Sequence, residues 1–334
     1  MNDLVKYIGF SSLGKLGLYR SLRRKHRGKA VALTYHGVLP EKPPGNGDFQ
    51  YRNFVTAGQF EQQIQFLLRR YRPLRAEDFY EPGGNLAGGF LITFDDGFRN
   101  NYLHALPILK KYGLQGCFFI TTHLIDTREF LWTEQVTRLL EKTRREKVEV
   151  ELERPHSFPL GAPAQREHAS LAIRKYLKVA PLRRRQEVLG HMKAQLSDVP
   201  LTVQPEEEER YLFMTWDEVR EMARAGQVIG SHTHTHPMLA TLSEEESLGE
   251  LRVSRKLIEQ QTGQPCLTMS YPNGERENYS EVQIRQLQQL GYRCAFTQVP
   301  HFNTAETDRY QLRRVNISLK MSLPVFEAAL CGVL

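Results

Sequence analysis

Gly89-Phe90-Leu91-Ile92-Thr93-Phe94-Asp95-Asp96-Gly97 is a short apolar run that ends in two carboxylates and a glycine. Phe90, Leu91, Ile92 and Phe94 have the length and composition of a buried strand. Arg99 to Tyr112 follows with apolar residues at helical spacing, Leu103, Leu106, Ile108 and Leu109. In such a βα unit, chemistry collects at the carboxyl end of the strand. Asp96-Gly97 by itself is also an ordinary turn signal, because Asp bonds its local backbone and Gly supplies positive φ. Two adjacent carboxylates at the mouth of an apolar strand nevertheless resist joint ionisation unless a cation or hydrogen-bond donors neutralise them.

Outward from this stretch the chain repeats the same alternation. Strands are expected at Ala30–Tyr35, Phe90–Phe94, Cys117–Thr121, Val228–Gly230, Leu267–Tyr271, Arg293–Phe296 and Leu312–Ile317. Thr56-x-x-Gln59, Thr215-x-x-Glu218, Ser243-x-x-Glu246 and Ser280-x-x-Gln283 are capping boxes, each opening a helical segment between strands. About seven βα repeats predict an α/β fold, a distorted or incomplete (β/α) barrel. An open doubly wound sheet would carry a glycine-rich nucleotide turn after an early strand, and none is present. A barrel gathers strand ends on one face, so His36, Asp95, Asp96, His232 and Tyr271 can converge despite their separation in sequence.

From Arg138 to Tyr211 the pattern becomes charge-dense, with Arg144-Arg145-Glu146-Lys147, Arg183-Arg184-Arg185 and Glu206 to Glu209. It reads as a solvated helical insertion at about 138–212 rather than a lid or docking arm. The expected organisation is a basic segment, 1–29, and one domain, 30–334, carrying that insertion.

The net charge of +7 is confined to one end, since residues 1–30 hold eight of the 45 Lys and Arg and one of the 38 Asp and Glu. A basic face spread over the fold would have pointed to nucleic acid; a basic terminus without a recognition motif does not. Leu4, Val5, Ile8, Phe10, Leu13, Leu16, Leu18 and Leu22 accompany the charges, as in an amphipathic helix that lies on an anionic membrane surface or docks on the core. Gly9, Gly14 and Gly17 weaken such a helix. The charges follow the apolar residues and no small-residue cleavage site is evident, so no export signal is read. The four dispersed cysteines form no C-x-x-C pair and fit a reducing compartment. No run of about eighteen apolar residues occurs. A cytoplasmic protein, peripheral at the inner membrane surface, is expected.

The cation that Asp95 and Asp96 call for has candidate ligands in Ser231-His232-Thr233-His234-Thr235-His236-Pro237, which follows the strand at Val228. His232 and His236 share a face in a helical turn, whereas all three histidines share a side in an extended strand. Two imidazoles and one carboxylate leave a coordination position open, as catalytic rather than structural sites do.

These motifs resemble the polysaccharide deacetylases with a NodB homology domain, carbohydrate esterase family 4. Thr93 to Gly97 resembles the first family motif, Ser231-His232-Thr233-x-x-His236-Pro237 the second, and Tyr271-Pro272-Asn273-Gly274 the third. The resemblance implies that Asp96, His232 and His236 hold a divalent metal, usually zinc, with Asp95 as general base. It implies that Tyr271, Pro272 and Asn273 bind substrate, with a backbone N–H near Tyr271 helping the metal stabilise the oxyanion. Most members carry their general acid, a histidine, near the C-terminal end, yet Leu312 to Ile317 contains none. A branch acting on exopolysaccharide N-acetylglucosamine places the acid in an early Tyr-His motif, which Tyr35-His36-Gly37-Val38 resembles. His36 is therefore the expected acid and His301 the alternative, with a core histidine as the plain reading of His36. The arginine expected shortly before Pro272 is replaced by Thr268-Met269-Ser270, so Arg313 or Arg314, with Arg314 preferred, is expected to orient Asp95. The implied activity is metal-dependent N-deacetylation of an N-acetylated glycan. Another barrel metallohydrolase, or a non-catalytic glycan-binding descendant, stands as the alternative.

Overall fold

Seven short parallel strands curve around a common interior, in the spatial order of their appearance in the chain. The computed structural model describes residues 9–10, 12–13, 17–41 and 53–333. The strands are β1 (Val31–Tyr35), β2 (Gly89–Phe94), β3 (Gly116–Ile120), β4 (Val228–Ser231), β5 (Thr268–Ser270), β6 (Cys294–Phe296) and β7 (Arg314–Asn316). β1 pairs β2 on one side and β7 on the other, and the chain of pairs runs on through β3, β4 and β5 to β6. Between β6 and β7 the sheet is not sealed, although a single parallel bridge, Phe296 to Leu312, closes part of the gap. The expected distorted barrel is thus present, with its seam where the β6–β7 connection lacks a helix.

All four predicted capping boxes form and start the helices Ala57–Leu68, Trp216–Arg224, Glu244–Thr262 and Glu281–Leu290. Each satisfies orphan N–H groups of a first turn that packs on the barrel wall. The helical stretch after β2 departs from ideal spacing, with a π-helical turn at Asn101–Ala105 before the α-helix Leu106–Lys111. β2 is buried along its whole length, as its unbroken apolar composition requires of a strand covered on both faces.

Between β3 and Trp216 the chain makes a long excursion that is less uniformly helical than its charge pattern predicts. Helices Trp132–Lys142, Pro163–Val179 and Leu182–Gln195 are accompanied by an antiparallel hairpin, Lys147–Glu151 with Pro155–Pro159. Val148 and Val150 alternate inward with exposed charges between them, a period-two pattern that the dense charge concealed. Leu139, Val148, Ile173 and Val188 belong to the same apolar core as the barrel residues Leu33 and Ile92.

Helix Leu18–Lys25 packs Tyr19 against Ala328 of the last described helix, Leu323–Leu330, and against Cys331, which caps that helix. Arg23 forms an ion pair with Glu327 across this contact, while Arg20, Arg24 and Lys25 face solvent. The segment therefore docks on the fold with a basic exposed side. Leu4, Val5, Lys6, Ile8, Gly14, Lys15 and Leu16 lie outside the described residues, as do positions 42–52 of the predicted loop after β1. Among the described residues no helix is long and apolar enough to cross a membrane.

Candidate active site

Asp95 and Asp96 leave β2 in different directions because Asp96 adopts a left-handed conformation, φ 75°, followed by Gly97 at φ 92°. A Cβ on Gly97 would also approach Ile120 Cγ2 to 3.1 Å, so both φ and space favour glycine there. The turn signal and the site signal in this stretch are one feature: the turn separates the carboxylates and gives each its own partners.

Asp95 is buried at the carboxyl end of β2 and receives a bidentate pair from Arg314 at the start of β7. Arg314 donates to Oδ1 at 2.8 Å and to Oδ2 at 2.7 Å. Ser270 Oγ and Gln298 Nε2 also reach Oδ2, at 3.2 and 3.1 Å. Arg314 is itself fully buried and donates further to the Thr297 carbonyl at 2.8 Å and the Thr93 hydroxyl at 3.0 Å. Burial pushes the Asp95 carboxyl up, but the Arg314 charge and then His232 overcome it and hold the group below the ordinary carboxylate range. Arg313, the other arginine considered, instead accepts and donates backbone bonds with Asn303 and does not touch Asp95.

Asp96 faces two histidines. Its Oδ1 lies 3.5 Å from His232 Nε2 and 3.4 Å from His236 Nε2, and all three residues are buried. His232 directly follows β4, and His236 reaches the same point neither through a helical turn nor along a strand. Thr233 and His236 are both left-handed, φ 66° and 57°, so the loop folds back on itself. Glu250 secures this loop by accepting the N–H groups of His234 and Thr235, each at 2.8 Å. His234 turns away to Thr122, with Nδ1 3.0 Å from its hydroxyl.

The donor set fits a divalent ion. His232 Nδ1 lies 2.7 Å from the Ser270 carbonyl, which can only accept, so Nδ1 carries the proton and Nε2 presents its lone pair to Asp96. Burial lowers the His232 pKa to about 4, which keeps this imidazole neutral at pH 7. Burial is also the largest influence on Asp96, in the opposite sense, yet His236, His36 and His232 hold its carboxyl well below the usual range. Separations of 3.4 and 3.5 Å are long for hydrogen bonds, but close to the ~3.3 Å between ligands placed tetrahedrally about 2.0–2.1 Å from one ion.

These groups open into a cavity of about 400 Å³ that His36, Asn273, Gln298 and Asn316 also line. That volume is ordinary for a ligand site. His36 sits at the end of β1, half-buried. His301, the alternative acid, is exposed with its ring 5.6 Å from that of Phe302 and is no part of the cavity; its loop runs off the β6 end toward the N-terminal segment. The third motif is placed differently from expectation. Tyr271 is fully buried, stacked on Tyr279, with its hydroxyl given to the Tyr310 carbonyl and its N–H to Phe296. Both Tyr271 donors are engaged within the protein, Pro272 is buried with it, and of the three only Asn273 lines the cavity.

Sequence reasoning missed several neighbours. Gln298 follows β6 and Asn316 ends β7, so the rule that strand ends carry chemistry could have found them. Leu131, Thr133, Glu134, Arg174 and Lys178 come from the excursion after β3, which thereby forms one wall of the cavity instead of a purely solvated appendage. Nothing in their local sequence distinguishes them from the surrounding charges.

The polysaccharide deacetylase family matches the chain over residues 87–154 and 190–295, which reach from β2 into β6 and leave out the whole of helix Pro163–Val179. YxkH of Bacillus subtilis (strain 168), which carries the polysaccharide deacetylase name, is 24% identical over 238 residues, 71% of this chain and 54% of its own length. The poly-β-1,6-N-acetyl-D-glucosamine N-deacetylase of Staphylococcus epidermidis is 30% identical over 115 residues, 31% of this chain and 40% of its own. The chain thus spans about half the length of the curated relatives it matches. Among solved structures, the Streptococcus pyogenes deacetylase PplD, in complex with acetate, superposes with a TM-score of 0.57 at 20% identity, covering 89% of this chain and 96% of that one. IcaB from Ammonifex degensii gives 0.57 at 19%, covering 90% and 97%. At these identities the structures speak for the fold.

Proposed function

The chain belongs to the polysaccharide deacetylase family, and from that premise we propose that it hydrolyses the acetamide of N-acetylated sugars in a polysaccharide or glycan intermediate. Acetate and a free amine are the products. The observation that carries this reading is the buried Asp96, His232 and His236 set beside Asp95 in one cavity. Similarity to a poly-N-acetylglucosamine deacetylase makes N-acetylglucosamine oligomers the first substrates to try.

Asp96, His232 and His236 would hold the ion, for which zinc suits a site of two imidazoles and a carboxylate. When bound, such an ion is a Lewis acid that acidifies water and polarises the acetamide carbonyl. Asp95 takes the proton of the attacking water. Its four donors make it a weak base held in one orientation, so the site relies on placement and on acidified water rather than on a strongly basic carboxylate. His36, across the cavity, protonates the leaving nitrogen. Arg314 acts through Asp95 as a positioning residue, and Asn273 is placed to meet the substrate. The exposed Arg20, Arg24 and Lys25 remain a surface for anionic lipid, and the excursion after β3 belongs to the catalytic domain as its cavity wall.

Acetate release from N-acetylglucosamine oligomers tests the reading; cleavage of other amides or esters with no acetate released from any acetylated sugar would overturn it. His36→Ala is expected to keep the ion and the fold while lowering amide turnover about 10²-fold. An aryl acetate should suffer less, because its leaving group departs without protonation. Equal losses on amide and ester would return His36 to a structural role.

A further inference from the structure

Glu134 is a carboxylate on the cavity wall that the reaction above does not use. It lies in the first turn of helix Trp132–Lys142, in the excursion after β3, and lines the same cavity as Asp95 and Asp96. Burial raises its pKa, and the charges of Arg210, Arg174 and Asp96 are felt there. Yet among the described residues its carboxylate accepts no hydrogen bond and enters no ion pair. The neighbouring acids behave otherwise: Asp95 is held by Arg314, Ser270 and Gln298, and Asp96 faces His232 and His236. A half-buried carboxylate that no protein donor meets keeps its acceptor oxygens free for water or for the hydroxyl groups of a ligand that displaces it.

A carboxylate facing a sugar is an acceptor for hydroxyl groups, with two oxygens that suit a pair of neighbouring O–H donors. We propose that Glu134 holds ring hydroxyls of the N-acetylhexosamine whose acetamide meets Asp95 and His36, and so fixes the sugar ring from the wall opposite the catalytic strand ends. This rests on the deacetylase reading and adds the group that binds the ring. Glu134 is a binding residue here. Removing it loses uniform binding, which raises KM without lowering kcat.

The test compares wild type, Glu134→Ala and Glu134→Gln on N-acetylglucosamine oligomers and on an aryl acetate that has no ring hydroxyls, with metal content measured in each. Glu134→Ala should raise KM on oligomers about 10- to 100-fold, the loss of charge-assisted hydrogen bonds, with kcat, aryl acetate hydrolysis and metal content unchanged. Glu134→Gln, which keeps one acceptor oxygen, should raise KM less. An unchanged KM, a fall in kcat at constant KM, or equal loss on both substrates would overturn the proposal; the second would place Glu134 in the chemical step. Calorimetric binding of intact oligomers separates this from the underlying reading. Wild type that binds oligomers without releasing acetate refutes deacetylation, while the affinity of Glu134→Ala still decides the role of Glu134; wild type that does not bind them overturns both.

Discussion

Removing the divalent ion with a chelator is expected to abolish acetate release, and added zinc to restore it. The two adjacent aspartates should then separate by what they do to metal content. Asp96→Ala removes one of the three proposed ligands, and the buried His232 and His236 are left with no carboxylate between them, so metal and activity should be lost together. Asp95→Asn leaves the ligand set whole and offers Arg314 one acceptor oxygen in place of two. It should retain metal while slowing turnover about 10²- to 10⁴-fold, the usual contribution of a general base. Metal content by mass spectrometry and acetate release, measured on the same preparations, decide the point. Full activity in excess chelator would remove the metal from the reaction, and equal metal loss in both variants would show that the aspartate roles are wrongly divided.

Much of this site was legible because a parallel barrel converts strand order into proximity. The strands ending at Tyr35, Phe94 and Ser231 each deliver a polar residue at the carboxyl end, and the register of β1 with β2 sets Tyr35 level with Phe94. Capping boxes marked four helix starts because their chemistry is local, between residues three apart. What escaped was non-local. The left-handed Thr233 and His236 that turn the histidine loop have no glycine to announce them, so neither helical nor strand spacing described the loop. Gln298 and Ser270 converge on Asp95 from β6 and β5, and their identity says nothing until the barrel is closed. The Lys147–Glu151 hairpin was hidden by charge, since its buried Val148 and Val150 are only two positions. Tyr271, expected from its motif to meet substrate, does not line the cavity, and its donors are engaged by Phe296 of β6 and Tyr310 of the β6–β7 connection.

Arg314→Met should be among the most destabilising single changes in this protein, by about 3–5 kcal/mol, because it leaves the buried Asp95 charge without its cation. Asp95 then faces only Ser270 and Gln298, two neutral donors that cannot replace a bidentate guanidinium. The penalty depends on pH in a predictable direction. In the wild type the Asp95 carboxyl is held below its unfolded value, so its contribution to stability is present above the ordinary carboxylate pKa of about 4 and fades as pH falls through the folded value. In Arg314→Met burial acts unopposed by that charge, the folded pKa rises above the unfolded one, and stability instead falls as pH climbs past about 4. The two unfolding curves should therefore converge in acid and separate towards neutrality. Asp95→Asn combined with Arg314→Met removes both charges, and denaturant titration should find the double variant less destabilised than the sum of the single ones, the sign of a coupled pair. A gap between wild type and Arg314→Met that is the same at all pH values would mean that the guanidinium contributes packing alone, and that Asp95 is held in place by its neutral donors.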